Sequence, residues 1–275
     1  MKPAPFAYCR VETTEEALAV LREHGGEARI LAGGQSLLPM LNMRLARPAM
    51  LVDIMRVPAL AGVAIERDHL VIGAGVRQAA LLGRPDLAAD VPLLAAGLPW
   101  VGHYQTRARG TICGSVAHAD PSAEIPLCLA ALAGTIRLRS ARRRRAVAAD
   151  TFFLGTLQTE RADDEMIEAI VLPMRRPGAG YAFAEIGRRH GDFAIVACAA
   201  VAEAEQVRLA VGGVADRPVV RTLPWLEGSA REDALNEFAW SLDAREDMHA
   251  TARYRRDLVR ALGRKVIEEA KQCRS

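Results

Sequence analysis

Leu31-Ala-Gly-Gly-Gln-Ser36 and Arg109-Gly-Thr-Ile-Cys-Gly-Ser115 are the two most informative segments of this 275-residue chain. Each adjoins an apolar run and combines glycines with hydroxyl or amide side chains. Glycine lets a backbone amide come close to a ligand, and amides together with hydroxyls are suitable donors to phosphate oxygens. Two such loops in one chain predict a dinucleotide whose pyrophosphate lies between them.

Neither loop belongs to a common phosphate-binding motif. The chain contains no glycine-lysine phosphate loop of the ATPase type, and Gly73-Ala-Gly75 lacks the third glycine of the Rossmann fingerprint. A single Gly-Gly-x-Ser turn is a weak signal, because tight turns in proteins without ligands use the same residues. The dinucleotide is therefore expected in a different fold, and both loops are needed to predict it.

The composition is that of a globular protein large enough for two or three small domains, with 51% hydrophobic and 25% charged residues. The net charge of +3 comes from 36 basic and 33 acidic residues spread along the sequence, which argues against a nucleic-acid-binding surface. The N-terminus lacks the apolar core of a signal peptide, and no run approaches the roughly 18 apolar residues of a membrane span. We expect a cytoplasmic protein.

The five cysteines are Cys9, Cys113, Cys128, Cys198 and Cys273, an odd number without a Cys-x-x-Cys pair. This scatter predicts neither a disulfide framework nor a zinc or iron–sulfur site. The six histidines show no spacing typical of metal ligands or of a hydrolase triad. We therefore predict that this chain carries no metal and no catalytic side chain of its own.

The sequence pattern is mixed α and β. Thr13-Thr-Glu-Glu16 has the pattern of a capping box that opens a helix. Asp120-Pro121 joins a favoured N-cap residue to a favoured first helical residue and predicts an apolar helix through Leu132. Apolar periodicity predicts further strands at 28–32, 50–54, 69–73, 135–139 and 166–172, and helices at 77–82 and 92–104.

Pro173 and the Arg175–Gly180 segment indicate a domain boundary. Strands are expected beyond it at 181–186, 193–202 and 207–211, followed by helices at 231–242 and 249–271. We expect a first domain of residues 1–175, with lobes of about 1–57 and 58–175, and a second domain of residues 176–275. The Arg142–Arg145 run is interpreted as a solvated hairpin or loop, with a contact to another subunit or to another anionic partner as the alternative.

Four segments, in order along the chain, carry a resemblance to a known family: Ile30–Pro39, Arg47–Ile54, Arg109–Glu124 and Arg188–Phe193. Over essentially its whole length the chain resembles the FAD-binding medium subunits of molybdenum hydroxylases, the xanthine dehydrogenase family. The medium chains of aerobic carbon monoxide dehydrogenases are the group it resembles most. The resemblance implies an α+β fold: a vanillyl-alcohol-oxidase-type FAD-binding domain of two α/β lobes, then a small C-terminal domain of a sheet with helices.

The resemblance also implies which residues bind FAD, because both glycine loops match loops that wrap the pyrophosphate in the family. Further positions match residues that line the flavin pocket. The candidates are Ala32, Gly33, Gly34, Gln35, Ser36 and Leu37 in the first loop, Gly110, Thr111, Gly114 and Ser115 in the second, and Val101, Thr106, His118, Asp120, Glu124 and Ile167 in the pocket. Asp120 and Glu124 are expected to accept hydrogen bonds from hydroxyls or amines of the cofactor.

Three further positions leave alternatives open. Cys113 stands where many relatives have glycine, so either the loop has no positive φ there or its path differs. Glu185 lies where some relatives have a lysine near the flavin, and its carboxylate would lower the flavin potential or point to solvent. Phe193 is either an aromatic contact of the flavin or a core residue at the start of an apolar strand.

The function implied by the resemblance is electron transfer by an oxidoreductase subunit. In the family, a large molybdopterin subunit oxidises the substrate, a small subunit with 2Fe–2S clusters relays electrons, and FAD on the medium subunit delivers them to an acceptor. FAD is thus expected on this chain, and molybdopterin and 2Fe–2S clusters only on partners, in a dimer of heterotrimers. A self-contained flavin oxidoreductase and a flavin-free binding or assembly protein are the alternatives. The substrate and the acceptor, whether quinone, NAD or oxygen, are left open.

Overall fold

The computed structural model describes residues 2–274, and the chain begins with a small lobe built on a parallel sheet. Its strands are β1 (Ala7–Arg10), β2 (Ala28–Leu31) and β3 (Met50–Asp53), with β3 in the centre. Helix α1 (Thr14–His24) joins β1 to β2, and α2 (Leu37–Asn42) follows the first glycine loop. Parallel neighbours need such crossovers, because the chain must return to the same end of the sheet.

The start of α1 confirms the capping box. The Thr13 hydroxyl accepts from the Glu16 amide at 3.2 Å, and the Glu16 carboxylate accepts from the Thr13 amide at 3.3 Å. These bonds satisfy amides that have no partner within the helix. Ala17, Leu18 and Leu21 then face the core at helical spacing, as the sequence predicts.

The second lobe is an antiparallel sheet with short helices packed around it. Five strands pair in the order β4-β5-β10-β6-β7, and β8 and β9 form a separate small hairpin. The strands are β4 (Val63–Glu66), β5 (His69–Gly73), β6 (Thr135–Arg139), β7 (Arg144–Ala148), β8 (Phe153–Gly155), β9 (Gln158–Thr159) and β10 (Met166–Pro173). The helices are α3 (Gln78–Leu82), α4 (Leu87–Asp90), α5 (Pro92–Gly97), α6 (Tyr104–Arg109), α7 (Ile112–His118), α8 (Glu124–Ala131) and α9 (Ala149–Phe152).

The C-terminal part is an antiparallel meander covered on one side by two helices. Its elements are β11 (Gly180–Ile186), β12 (Val196–Ala202), β13 (Gln206–Gly212), β14 (Val219–Pro224), α10 (Gly228–Ser241) and α11 (Ala252–Gln272). Every residue of β12 is buried. Its alternate residues Ala197, Ala199 and Val201 belong to the hydrophobic core of the first two lobes. Val196, Cys198, Ala200 and Ala202 pack against α10 and α11. The sheet is thus buried on both faces, which explains the continuous apolar run of β12.

Two of the expected helices differ from those observed. The segment 92–104 is not one helix: α5 ends at Gly97, a 3-10 turn spans Leu98–Trp100, and α6 starts at Tyr104. Gly102 between them has a φ of +49°, a left-handed conformation that interrupts a helix. The helix expected to begin at Asp120 instead begins at Glu124.

Tertiary contacts explain the late start of α8. The Asp120 carboxylate accepts from the Ser122 amide at 2.8 Å and forms a local turn, which competes with capping a helix. The Pro121 carbonyl accepts from the Gly213 amide at 2.7 Å, and the Ser122 hydroxyl accepts from Arg245 at 2.7 Å. The turn is therefore held by the C-terminal sheet and the segment after α10.

The arginine run forms the hairpin between β6 and β7, one of the two interpretations considered. Arg143 and Arg145 pair with Glu165 at 3.2 and 2.6 Å, and Arg145 also pairs with Glu160 at 2.6 Å. The Arg145 guanidinium lowers the pKa of the Glu165 carboxyl to about 2. Much of the positive charge of the run is therefore neutralised within this chain. Between residues 2 and 274, no helix is long and apolar enough to cross a membrane.

Candidate functional site

The two glycine loops are in direct contact, and the contact depends on Gly33. A Cβ atom at Gly33 would lie 2.3 Å from the Arg109 carbonyl oxygen and 2.6 Å from the Gly110 Cα atom. Real Cβ atoms do not approach backbone so closely, and the neighbour here is backbone rather than a flexible side chain. Glycine is thus required at this position because the first loop packs on the backbone of the second.

The second loop is fixed by the segment that joins β5 to α3. The Gly110 carbonyl accepts from the Gln78 amide at 2.9 Å, and the Ile112 amide donates to the Val76 carbonyl at 3.0 Å. Thr111 is only 1% exposed and is the N-cap of α7, where its hydroxyl accepts from the Gly114 amide at 3.0 Å. The loop is therefore held at a defined distance from the first.

Between the loops, the second lobe and the 191–193 segment lies a cleft of about 550 Å³. This volume is in the range of small-molecule sites. The structure brings all the predicted site residues except Glu185 to its wall. They are Ala32, Gly33, Gly34, Gln35, Ser36, Leu37, Val101, Thr106, Gly110, Thr111, Gly114, Ser115, His118, Asp120, Glu124, Ile167 and Phe193. That these residues bind FAD stays a prediction.

One part of the wall offers unpaired donors. Among the described residues, the amides of Gly33, Gly34, Gln35 and Ser36 donate to no protein acceptor, and the hydroxyls of Ser36 and Ser115 have no protein partner. Amides and hydroxyls that converge on one space form a site for an anion. Gly34 has a φ of +71°, a left-handed conformation that turns the first loop and would strain any other residue type at this position.

Cys113 resolves one of the alternatives left by the sequence. It lies in the first turn of α7, without a positive φ, so no glycine is required there. The thiol is 2% exposed and lies 3.5 Å from the Ile72 carbonyl oxygen. Burial raises its pKa to about 12, so it stays a neutral thiol in the cleft wall.

Another part of the wall carries titratable groups. Glu124 is 6% exposed, and its burial raises the pKa of its carboxyl to about 7. Burial lowers the pKa of His118, and the charge of Asp120 opposes this shift. His118 is therefore neutral at pH 7 and available as a hydrogen-bond partner.

Glu185 and Phe193 occupy unexpected places. Glu185 is 8% exposed and does not line the cleft, because the pleat of β11 directs it, like Phe183, toward the second lobe. Phe193 is 64% exposed at the mouth of the cleft, so its interpretation as a core residue is wrong. Strand β12 begins only at Val196.

Several lining residues were missed by sequence reasoning. Arg29 and Arg161 face the cleft from β2 and from the segment after β9, and their mutual repulsion, after burial, lowers the pKa of Arg161. Arg29 pairs with Asp163, two residues after Arg161, at 3.9 Å, so a long-range contact brings the two arginines together and no local motif indicates it. Gly102 and Gly191 also line the cleft, and both have a positive φ. Isolated glycines beside polar residues indicate turns, so the sequence offered a signal for these two cleft residues.

Two family models match the chain almost end to end. One, described as "FAD binding domain in molybdopterin dehydrogenase", matches residues 4–175. The other, described as "CO dehydrogenase flavoprotein C-terminal domain", matches residues 181–270. The first range contains both glycine loops and most of the cleft wall, and the second contains the C-terminal sheet with its helices.

Similar proteins cover the chain over most of its length. The medium subunit of nicotine 6-hydroxylase from Paenarthrobacter nicotinovorans is 37% identical over 98% of this chain and 99% of its own. The carbon monoxide dehydrogenase medium chain from Hydrogenophaga pseudoflava is 39% identical over 73% of this chain and 70% of its own. A solved structure of carbon monoxide dehydrogenase from Hydrogenophaga pseudoflava superposes with a TM-score of 0.95, at 31% identity and full coverage of both chains.

Proposed function

This chain belongs to the FAD-binding subunits of molybdopterin dehydrogenases, and we propose that it holds FAD between its two glycine loops and serves electron transfer. Electrons would come from iron–sulfur clusters on a partner subunit and leave to an external acceptor. The observation that carries the proposal is the contact of the two loops at Gly33. Because of this contact, unpaired donors of both loops lie in the wall of one cleft.

The residues of the cleft fit the chemistry of FAD. The free amides and hydroxyls around Gly34, Ser36 and Ser115 suit two adjacent phosphate groups, which need donors on more than one side. Asp120 and Glu124 supply acceptors for hydroxyls or an amine, since one Asp120 oxygen is taken by the Ser122 amide and the other is free for a ligand. Val101 and Ile167 give an apolar surface for a ring.

The protein would contribute binding, orientation and exclusion of water. Bound FAD supplies a centre that accepts and passes on electrons, and the surrounding charges adjust its potential. Buried Thr111, whose hydroxyl accepts from the Gly114 amide at 3.0 Å, would hold the second loop rigid, and Phe193 would offer an aromatic surface at the mouth. No side chain of this chain needs to act as an acid or base in the substrate oxidation.

The partners proposed are a molybdopterin-binding large subunit and an iron–sulfur small subunit, in a dimer of heterotrimers in the cytoplasm. The names "medium subunit" and "medium chain" of the relatives support this division of labour. No cluster of three or more potential metal ligands occurs in the part of the chain that the structure describes. The relatives act on compounds as different as nicotine and carbon monoxide, so the substrate would be chosen by a partner. We also propose the division into domains 1–175 and 176–275.

The test compares electron transfer with substrate oxidation by the purified chain loaded with FAD. We expect a reduced 2Fe–2S ferredoxin to reduce a quinone, NAD or oxygen through the chain only when FAD is bound. We expect no oxidation of an aldehyde, purine or N-heterocycle by the chain alone. Turnover of such a substrate without partners would identify a self-contained oxidoreductase instead, and a chain that never binds FAD would indicate an assembly protein.

A further inference from the structure

A second cavity, of about 440 Å³, lies between α1 and the β6–β7 hairpin. Helix α1 supplies Glu15, Leu18 and Arg22 to its wall, and the hairpin supplies the residues from Arg139 to Arg144. Leu18 is buried and gives the cavity an apolar floor. The cavity shares no lining residue with the cleft of the glycine loops. A ligand in it would contact both the first and the second lobe without touching the cofactor site.

The cavity keeps an excess of positive charge. Six guanidiniums lie in or beside it, and their salt-bridge partners are the four carboxylates of Glu15, Glu160, Glu165 and Glu168. Arg22 and Arg142 are exposed, and between residues 2 and 274 neither side chain has a salt bridge or a hydrogen bond. Two positive charges are therefore left over at the cavity, and they favour an anionic ligand.

Strand β7, which carries part of this charge, has a free edge. It is the last strand of the five-stranded sheet and pairs only with β6. The Ala149 amide donates to the Gly134 carbonyl at 2.9 Å, and this bond fixes which residues of β7 face β6. Because the bonds of an antiparallel pair alternate, Arg144 and Ala146 direct their amides and carbonyls away from β6, and both residues are exposed. Such an edge can accept a further strand.

We propose that an extended acidic segment of a partner subunit adds to the free edge of β7 and places carboxylates in the cationic cavity. This inference rests on the proposed function, because it takes the segment from the molybdopterin or the iron–sulfur subunit. The amides and carbonyls of Arg144 and Ala146 hold the backbone of the segment. Side chains of a strand alternate between the two faces of a sheet, so every second carboxylate lies on the face of Arg139 and Arg144, which are opposite each other in the hairpin.

Charge argues against two other occupants of this edge. A second copy of β7 would bring its own arginines against these, and like charges opposite each other destabilise strand pairing. A nucleic acid binds through many phosphate contacts, whereas only Arg22 and Arg142 are unpaired here. An acidic strand satisfies both the free edge and the two unpaired charges.

Hydrogen–deuterium exchange tests the strand addition in the chain alone and in its purified complex with the molybdopterin and iron–sulfur subunits. We expect the amides of Arg144 and Ala146 to exchange fast in the chain alone and slowly in the complex, because an added strand accepts from them. Unchanged exchange at these amides in an assembled complex would overturn the inference and leave the proposed function intact. Slow exchange that is lost after nuclease treatment would identify a nucleic acid as the occupant and would also overturn it.

A charge variant tests the cavity. Arg22→Gln/Arg142→Gln removes the two unpaired charges, and Arg67→Gln/Arg253→Gln, which removes two exposed arginines elsewhere, is the matched control. The affinity for the partner subunits is measured at low and at high salt. At low salt we expect a loss of roughly 2- to 30-fold for the first variant and no loss for the control. The difference should shrink at high salt, because ions screen exposed charges.

A backbone variant tests the edge independently of charge. Ala146→Pro removes an amide that does not bond to β6, so the hairpin keeps its ladder while the added strand loses a donor. We expect roughly 2- to 13-fold weaker binding of the partner subunits and an unchanged FAD content. If this variant does not fold, the charge variant still decides. Wild-type affinity of Arg22→Gln/Arg142→Gln at low salt would overturn the inference, and a chain that binds neither subunit would overturn it together with the proposed partners.

Discussion

Gly33→Ala is expected to weaken FAD binding by roughly 5- to 150-fold, although it adds only one methyl group. The methyl carbon would lie 2.3 Å from the Arg109 carbonyl oxygen and 2.6 Å from the Gly110 Cα atom, so the two loops must separate. Overpacking of this kind costs about 1–3 kcal/mol. We expect most of this cost to appear as weaker FAD binding, because the two loops that must separate form the site. FAD retained after gel filtration and the dissociation constant from flavin fluorescence measure the effect.

Gly62→Ala is the matched control for this substitution. Gly62 has no heavy atom within 4 Å of the position of a Cβ and no positive φ, so the same methyl group meets open space. We expect wild-type FAD affinity and a wild-type melting temperature for this variant. Unchanged FAD affinity in Gly33→Ala would show that the contact of the two loops does not define the cofactor site.

Arg255→Met is expected to reduce the free energy of unfolding by about 3 kcal/mol, because it breaks a buried charged network. Arg255 is 1% exposed, and its guanidinium donates to the carbonyls of Ile195 and Gly213 at 2.5 and 2.8 Å and to Asp247 at 2.6 Å. We expect a loss of stability at the lower end of the range for buried pairs. The Asp247 side chain is 35% exposed, so water hydrates its carboxylate once Arg255 is replaced.

The same substitution should also weaken FAD binding, because Arg255 supports two walls of the cleft. Ile195 closely follows Phe193 in the sequence. The Gly213 amide donates to the Pro121 carbonyl at 2.7 Å, and Pro121 is the neighbour of Asp120. Arg253→Met, on the exposed face of the same helix, is the control and should leave both stability and FAD affinity unchanged. Urea unfolding and FAD titration measure the two effects. Equal stability of the two variants would contradict the role given to Arg255.

Local patterns predicted the parts of the structure that local chemistry determines. The capping box at Thr13 is confirmed because all its bonds lie within four residues. The α+β fold is confirmed by the match to the carbon monoxide dehydrogenase structure, and the resemblance of four ordered segments was sufficient to predict it.

Tertiary contacts decided the rest. The helix expected from Asp120 fails to start there because Gly213 and Arg245, about 90 and 120 residues away, bind the next two residues. The direction of Glu185 depends on which face of β11 meets the second lobe, which one strand cannot reveal. Gly33 was identified for its closeness to a phosphate, whereas the structure shows that its first constraint is the backbone of the other loop.

The visible spectrum of the purified chain, with chromatography of any nucleotide released on denaturation, shows whether this chain binds FAD. We expect a flavin spectrum and about one FAD per chain, because the two-loop cleft lies entirely within this chain. A colourless, folded chain that also fails to take up added FAD would contradict it.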